Sequence, residues 1–142
     1  MEKSLRYLTA REGWGINQKV LHAQGGGSSL LRDRGILEGA VARPQMHAHY
    51  AGADLIDQAI TLIVGLALAH PFVDGNKRTA FIAGDAYLRQ NGLCIDADGR
   101  EFGEELRSVV DTTDDRETSE QRFRIYVRQH VIQLTPDGLT NP

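Results

Sequence analysis

Apolar positions recur at helical spacing along most of this chain, and the breaks between runs are short. Tyr7 to Glu12 opens the first run: Thr9 can cap a helix, and Glu12, three residues on, completes a capping box. Trp14, Ile16, Val20 and Leu21 follow at roughly helical spacing, with Trp14 read as a core residue. The helix is predicted to fade near Gln24, where Gly25-Gly26-Gly27-Ser28-Ser29 reads as a linker loop; no strand precedes it, as a phosphate-cradling glycine run would require. Asp33 caps a second run, Ile36, Leu37, Ala40 and Val41, which Pro44 is expected to end. Residues 43–53 read as an irregular or short extended segment. His47 and His49 would share a face on a strand and could hold a metal, but with no Cys or acidic residue nearby they read as surface histidines.

Asp54 caps what the pattern makes the longest helix. Leu55, Ile56, Ala59, Ile60, Leu62, Ile63, Val64, Leu66, Ala67 and Leu68 are apolar on nearly every face, so this helix is expected at the centre of the fold, spanning about 24 Å. Gly65 within it lowers helix propensity and marks a place of close packing. A further helix is predicted from Asn76 to Gln90, stopped by Asn91-Gly92 with Gly92 as the left-handed residue after it. Leu93-Cys94-Ile95 alternates too briefly to predict a sheet, with Cys94 read as core. Phe102, Leu106, Val109 and Val110 mark another helix, residues 111–118 a charged loop, and Thr118 or Ser119 the cap of a last helix running through Phe123, Ile125, Tyr126, Val127 and Ile132. The class is all-α: one domain over residues 1–134 and a frayed tail over 135–142.

Composition narrows the function classes. The 142 residues suit a single domain, and 41% apolar with 25% charged residues is a soluble, ordered balance. Sixteen Lys and Arg against nineteen Asp and Glu give a net charge of −3, which argues against direct nucleic-acid binding. A lone cysteine makes neither an internal disulfide nor a cysteine-based zinc site. No apolar run is long enough for a membrane span, so a cytoplasmic protein is expected.

The chemistry gathers in His70-Pro71-Phe72-Val73-Asp74-Gly75-Asn76-Lys77-Arg78-Thr79-Ala80, between the end of the apolar helix and the start of the next. The first turn of that next helix offers free N–H groups and the positive end of a dipole. Gly75 lets backbone approach an anion closely. Lys77 and Arg78 add positive charge where it is locally unfavourable, a cost consistent with a bound polyphosphate. Asp74 reads as a helix cap, as a Mg²⁺ ligand beside phosphate oxygens, or both. His70 reads as a general base or as a histidine favoured by the helix dipole. Phe72 anchors the loop in the core, and Asn76 holds loop carbonyls or a phosphate oxygen.

This run resembles the Fic/Doc family signature His-x-Phe-x-(Asp/Glu)-Gly-Asn-(Gly/Lys)-Arg. Seven fixed positions at roughly 5% each would match by chance on the order of 10⁻⁹ of the time per start site. The stretch from Leu31 to Gln45, with Arg32-Asp33, Glu38 and Arg43-Pro44, is similar to the R-D-x-G-L-L-E-x-A-x-x-R-P segment of the Doc (death-on-curing) type. Tyr7-Leu8-Thr9 and Tyr87-Leu88-Arg89-Gln90-Asn91-Gly92 look Doc-like as well. The resemblance implies a compact helical bundle, with a flap that docks the target's main chain assigned to residues 43–53. It implies His70 as general base, Asp74 as Mg²⁺ ligand, Gly75 and Asn76 shaping an anion nest, and Lys77 and Arg78 gripping the phosphates of ATP.

Lys77 and Phe81 stand where AMP-transferring Fic enzymes carry Gly and a second Arg. That departure favours transfer of the terminal phosphate. The implied target is a threonine of elongation factor Tu, and the implied outcome is arrested translation. The alternatives are an AMP-transferase and a catalytically silent interaction module. No (Ser/Thr)-x-x-x-Glu-(Gly/Asn) inhibitory helix is present, because Leu8 and Arg34 stand where Glu12-Gly13 and Glu38-Gly39 would need Ser or Thr. The resemblance implies instead a separate antitoxin whose disordered C-terminal segment folds onto a monomeric toxin.

Overall fold

The computed structural model describes residues 7–113 and 115–134. Its elements are α1 (Ala10–Ala23), α2 (Arg34–Ala51), α3 (Leu55–Ala69), α4 (Asn76–Arg89), β1 (Leu93–Ile95), α5 (Gly99–Val110), α6 (Arg116–Gln129) and β2 (Val131–Gln133). A helix apolar all round must be surrounded, and α3 is: Ala59, Ile60, Ile63 and Ala67 are wholly buried. α2 and α4 pack most extensively on it, and α5 and α6 cover more of its surface. At Gly84 the α3–α4 approach leaves no room for a side chain, since a Cβ there would lie 2.3 Å from Ile63 Cγ1. Two buried polar groups are satisfied in series: Tyr87 Oη donates to Gln58 Oε1 at 3.0 Å, and Gln58 Nε2 donates to the Ala53 carbonyl at 3.0 Å. Phe81, Phe102, Phe123 and Tyr126 stack into an aromatic seam joining α4, α5 and α6.

The all-α class holds, and so do the caps at Thr9, Asp33 and Asp54. Five expectations are corrected. α2 does not end at Pro44 but runs to Ala51, making it longer than α3. Proline inside a helix costs about 3 kcal/mol, yet Pro44 lies on the buried stripe with Leu37, Ala40 and Val41, and packing on α3 outweighs the lost hydrogen bond. Residues 43–51 are therefore not extended, and on a helix His47 and His49 point to different sides. Leu93–Ile95 does form a strand, paired antiparallel with Val131–Gln133, so Ile132 belongs to a strand and not to the last helix. Asp115, not Thr118 or Ser119, caps α6 by accepting the Thr118 N–H. Trp14 is 37% exposed and is not a core residue, whereas Cys94 is buried. The expected frayed tail, 135–142, lies outside the described residues.

Candidate active site

Where α3 stops, the chain turns on His70. This residue has φ 50° and ψ 57°, the sole positive φ outside glycine among the described residues. A left-handed conformation costs a non-glycine residue about 1–2 kcal/mol and persists only where neighbours enforce it. Here the His70 N–H donates to the Leu66 carbonyl at 3.3 Å, and the His70 carbonyl accepts from Arg32 Nη1 at 2.8 Å. The imidazole Nδ1 lies 3.1 Å from the Leu68 carbonyl. A carbonyl can only accept, so Nδ1 carries the proton and Nε2 keeps its lone pair. The ring is therefore held in the tautomer that can take a proton.

The loop that follows is pinned from three sides. Asn76 folds back on it, accepting the Phe72 N–H at 3.0 Å and donating to the Phe72 carbonyl at 2.8 Å. Its amide is thus engaged with loop backbone rather than a phosphate. Residues 30–32 lie alongside as a short antiparallel bridge, Leu31 opposite Phe72, with Arg32 N–H to Pro71 O at 2.7 Å and Val73 N–H to Leu30 O at 2.9 Å. The residues just after the glycine-rich linker thus deliver a backbone edge to the motif. The extended flap expected at 43–53 is corrected, because residues 43–51 are helix and His47 packs near Thr61 in the middle of α3.

From beneath, Asn17 of α1 is wholly buried, and its Nδ2 donates to the Asp74 carbonyl at 2.9 Å and to Thr79 Oγ1 at 3.1 Å. Its Oδ1 accepts from Ser29 Oγ. Asn17, Ser29, Arg32 and Thr79 support the loop and were not singled out from the sequence. Their signal is a polar residue at a core position of an amphipathic helix, visible for Asn17 once Gly13, Val20 and Leu21 are known to be inside.

The start of α4 differs from every other described helix start. The other five begin with Thr9, Asp33, Asp54, Asp98 or Asp115, each accepting a first-turn N–H. α4 begins with Gly75 at φ 78°, with no side-chain cap and no acidic residue in its first turn. A Cβ on Gly75 would meet Asn17 Nδ2 at 3.1 Å and Val20 Cγ1 at 3.3 Å, so glycine is required by both angle and space. Asp74 is not the α4 cap: its Oδ1 accepts the Gly75 N–H at 2.8 Å, leaving the first-turn amides open. Lys77 and Arg78 form no ion pair among the described residues. They line a groove of about 840 Å³ with Phe81, Arg100, Phe102 and Arg107. His70 and Asp74 are not part of its wall; they stand at the mouth of the loop, and Asp74 is exposed.

One carboxylate with open amides and two cations suits a polyphosphate carrying Mg²⁺, a metal that takes one or two carboxylates and phosphate oxygens for the rest. No cluster of three His, Cys, Asp or Glu that would hold a metal by itself occurs among the described residues. No described helix is long and apolar enough to cross a membrane.

Comparison with known proteins agrees with this geometry. Residues 7–88 match the family model described as Fic/DOC family. Over 92 residues the chain is 42% identical to a protein of Mycolicibacterium smegmatis named Toxin Doc, covering 63% of this chain and 71% of that one. Over 71 residues it is 36% identical to Protein kinase doc of Escherichia phage P1, covering 49% of this chain and 56% of that relative, so the chain spans just over half of its length. The family match takes in α1 to α4 up to Leu88, and with them the whole motif loop.

Proposed function

Because this chain belongs to the Fic/Doc family, we propose that it is a Doc-type toxin, a kinase that moves the terminal phosphate of ATP onto a protein threonine. The observation that carries the reading is the start of α4: open first-turn amides and two cations with no ion pair among the described residues, six residues after an imidazole whose Nδ1 is turned to the Leu68 carbonyl, leaving Nε2 to accept a proton. Nε2 of His70 takes the hydroxyl proton, the threonine oxygen bonds to the terminal phosphorus, and the bond to the ADP oxygen breaks. Lys77 and Arg78 hold the departing and transferring phosphates, and Gly75 keeps the backbone close. Asp74 would hold Mg²⁺, which supplies charge neutralisation when bound. The triphosphate then lies across the helix end, with the nucleoside in the groove beside α5 and the terminal group toward His70.

Phosphate rather than AMP transfer is favoured by two residues. Lys77 fills space where bare backbone would meet the nucleotide in an AMP-transferase. Phe81, where such an enzyme has a second arginine, packs 4.6 Å from Phe102 in the aromatic seam. Elongation factor Tu is the proposed substrate, translation arrest the outcome, and a separate antitoxin with a disordered C-terminal segment the proposed inhibitor of this monomer in the cytoplasm. Incubation of elongation factor Tu with the protein and Mg-ATP, followed by mass spectrometry, tests the reading. One added phosphate on a threonine supports it. An adenylyl group would point to the AMP-transferase, and an unmodified target under conditions where the protein is folded would remove the kinase assignment.

A further inference from the structure

A second cluster of polar side chains lies against the middle of α3, outside the motif loop and independent of how the motif is read. Arg43, Met46, His47 and Tyr50 of α2 face Thr61 of α3 and Arg124 of α6 across a pocket of about 360 Å³. Gly65 helps to build it. A Cβ on that glycine would lie 3.4 Å from Arg43 Cδ and 3.7 Å from Arg43 Nη1, so the missing side chain gives the arginine stem a bed on α3. A glycine within an otherwise apolar helix weakens that helix, and here the space it leaves is occupied by a cationic side chain.

The charges do not cancel. Arg124 bonds to the Asp57 carbonyl at 3.4 Å and approaches the Asp57 carboxylate at 3.7 Å. Arg128 pairs with Asp54 and lies 3.9 Å from Asp57. Those two aspartates offset those two arginines. Arg43 has no acidic partner among the described residues, and no acidic residue lines the pocket. The surplus is one positive charge.

Hydrogen bonding then orients an imidazole beside it. Arg124 Nη2 donates to Thr61 Oγ1 at 3.2 Å, and Thr61 Oγ1 lies 2.8 Å from His47 Nδ1. The Thr61 hydroxyl keeps a second lone pair and its own proton, so it holds the His47 ring in place in either tautomer. Two exposed apolar side chains complete the rim, Met46 at 54% and Tyr50 at 81% exposure.

We propose that this pocket binds the carboxylate of an acidic residue in a peptide segment of a partner protein, with a neighbouring apolar side chain resting on Met46 and Tyr50. A single surplus charge matches a carboxylate better than a phosphate, which carries nearly two. The Arg43 fork supplies donors for both oxygens. The rim offers the amphipathic surface on which peptide side chains settle.

The test is an NMR titration of the ¹⁵N-labelled full chain with acetyl-Leu-Glu-Leu-amide, its Gln counterpart and inorganic phosphate. The glutamyl peptide is expected to shift the His47, Thr61 and Arg124 signals and to saturate in the millimolar range. The Gln peptide and phosphate should leave them in place. Arg43→Gln should weaken binding about fivefold, the scale of one partly exposed ion pair. If that variant fails to fold, Arg43→Lys, which keeps the charge and removes the two-pronged fork, carries the same comparison. Equal shifts from both peptides, no shift at the pocket, binding of phosphate alone, or unchanged affinity in the variant that folds would each overturn the proposal.

Discussion

Two helix starts in this molecule are built on opposite electrostatic plans. α3 begins with Asp54, whose Oδ1 accepts the Asp57 N–H at 2.8 Å, and both aspartates meet arginines of α6. Negative charge sits where the dipole wants it, and the cations that answer it are neutralised. α4 begins with a left-handed glycine, no cap and two cations. The first arrangement is complete within the chain. The second leaves its first-turn amides uncapped and its two cations without an ion pair among the described residues, and the contrast sets a start completed within the chain against one left open.

This contrast can be broken by substitution. The largest effect is expected for His70→Ala, which should lower phosphoryl transfer by about 10²–10⁴-fold while the circular dichroism spectrum and melting temperature stay near those of the parent. Asn17→Ala comes next. Withdrawing the buried amide from Asp74 O and Thr79 Oγ1 should cost about 2 kcal/mol in a denaturant titration, with transfer activity falling alongside. Gly75→Ala should cost about 1–2 kcal/mol through its positive φ, a change visible in the same titration, and should weaken Mg-ATP binding measured by calorimetry. Capping the open helix start sharpens the comparison from the other side: Lys77→Glu should raise the melting temperature slightly while abolishing Mg-ATP binding. A variant that melted higher and still bound would show the two plans to be equivalent.

The smallest effect concerns pH. Burial first, and the nearby Tyr7 second, push the Tyr87 hydroxyl up to about 12. Both folded and unfolded chains hold that proton below pH about 10, the ordinary tyrosine value, so its contribution is intact there. Between about 10 and 12 the unfolded chain alone releases it, and stability should fall as pH rises. Melting curves across that window should flatten in Tyr87→Phe.

How much could be read from the chain follows from how far apart the deciding atoms lie. The caps at Thr9, Asp33 and Asp54 and the motif at His70–Arg78 were legible because each is settled within a few residues. Pro44 misled because its local penalty is certain, whereas the burial that offsets it depends on α3. The β1–β2 pair was illegible because its three-residue strands, Leu93–Ile95 and Val131–Gln133, find each other only after α5 and α6 have turned the chain round. The bridge between Leu31 and Phe72 is hidden for the same reason, since its two sides lie forty-one residues apart in the chain. Asn17 looked like any polar helix residue, and only the closeness of Gly75 shows why it faces inward.

The short pairing of Leu93–Ile95 with Val131–Gln133 has a mechanical consequence. It works as a clasp: the Leu134 N–H closes on the Gly92 carbonyl at 3.0 Å, and the Asp96 N–H on the His130 carbonyl at 2.7 Å. α5 and α6 are thereby fastened at both ends into one closed arm, and α5 is the wall facing Lys77 and Arg78. Unfastening the arm by ending the chain at His130 would loosen that wall without touching a motif residue. The arm that walls the groove is thus pinned a whole helical hairpin away in sequence.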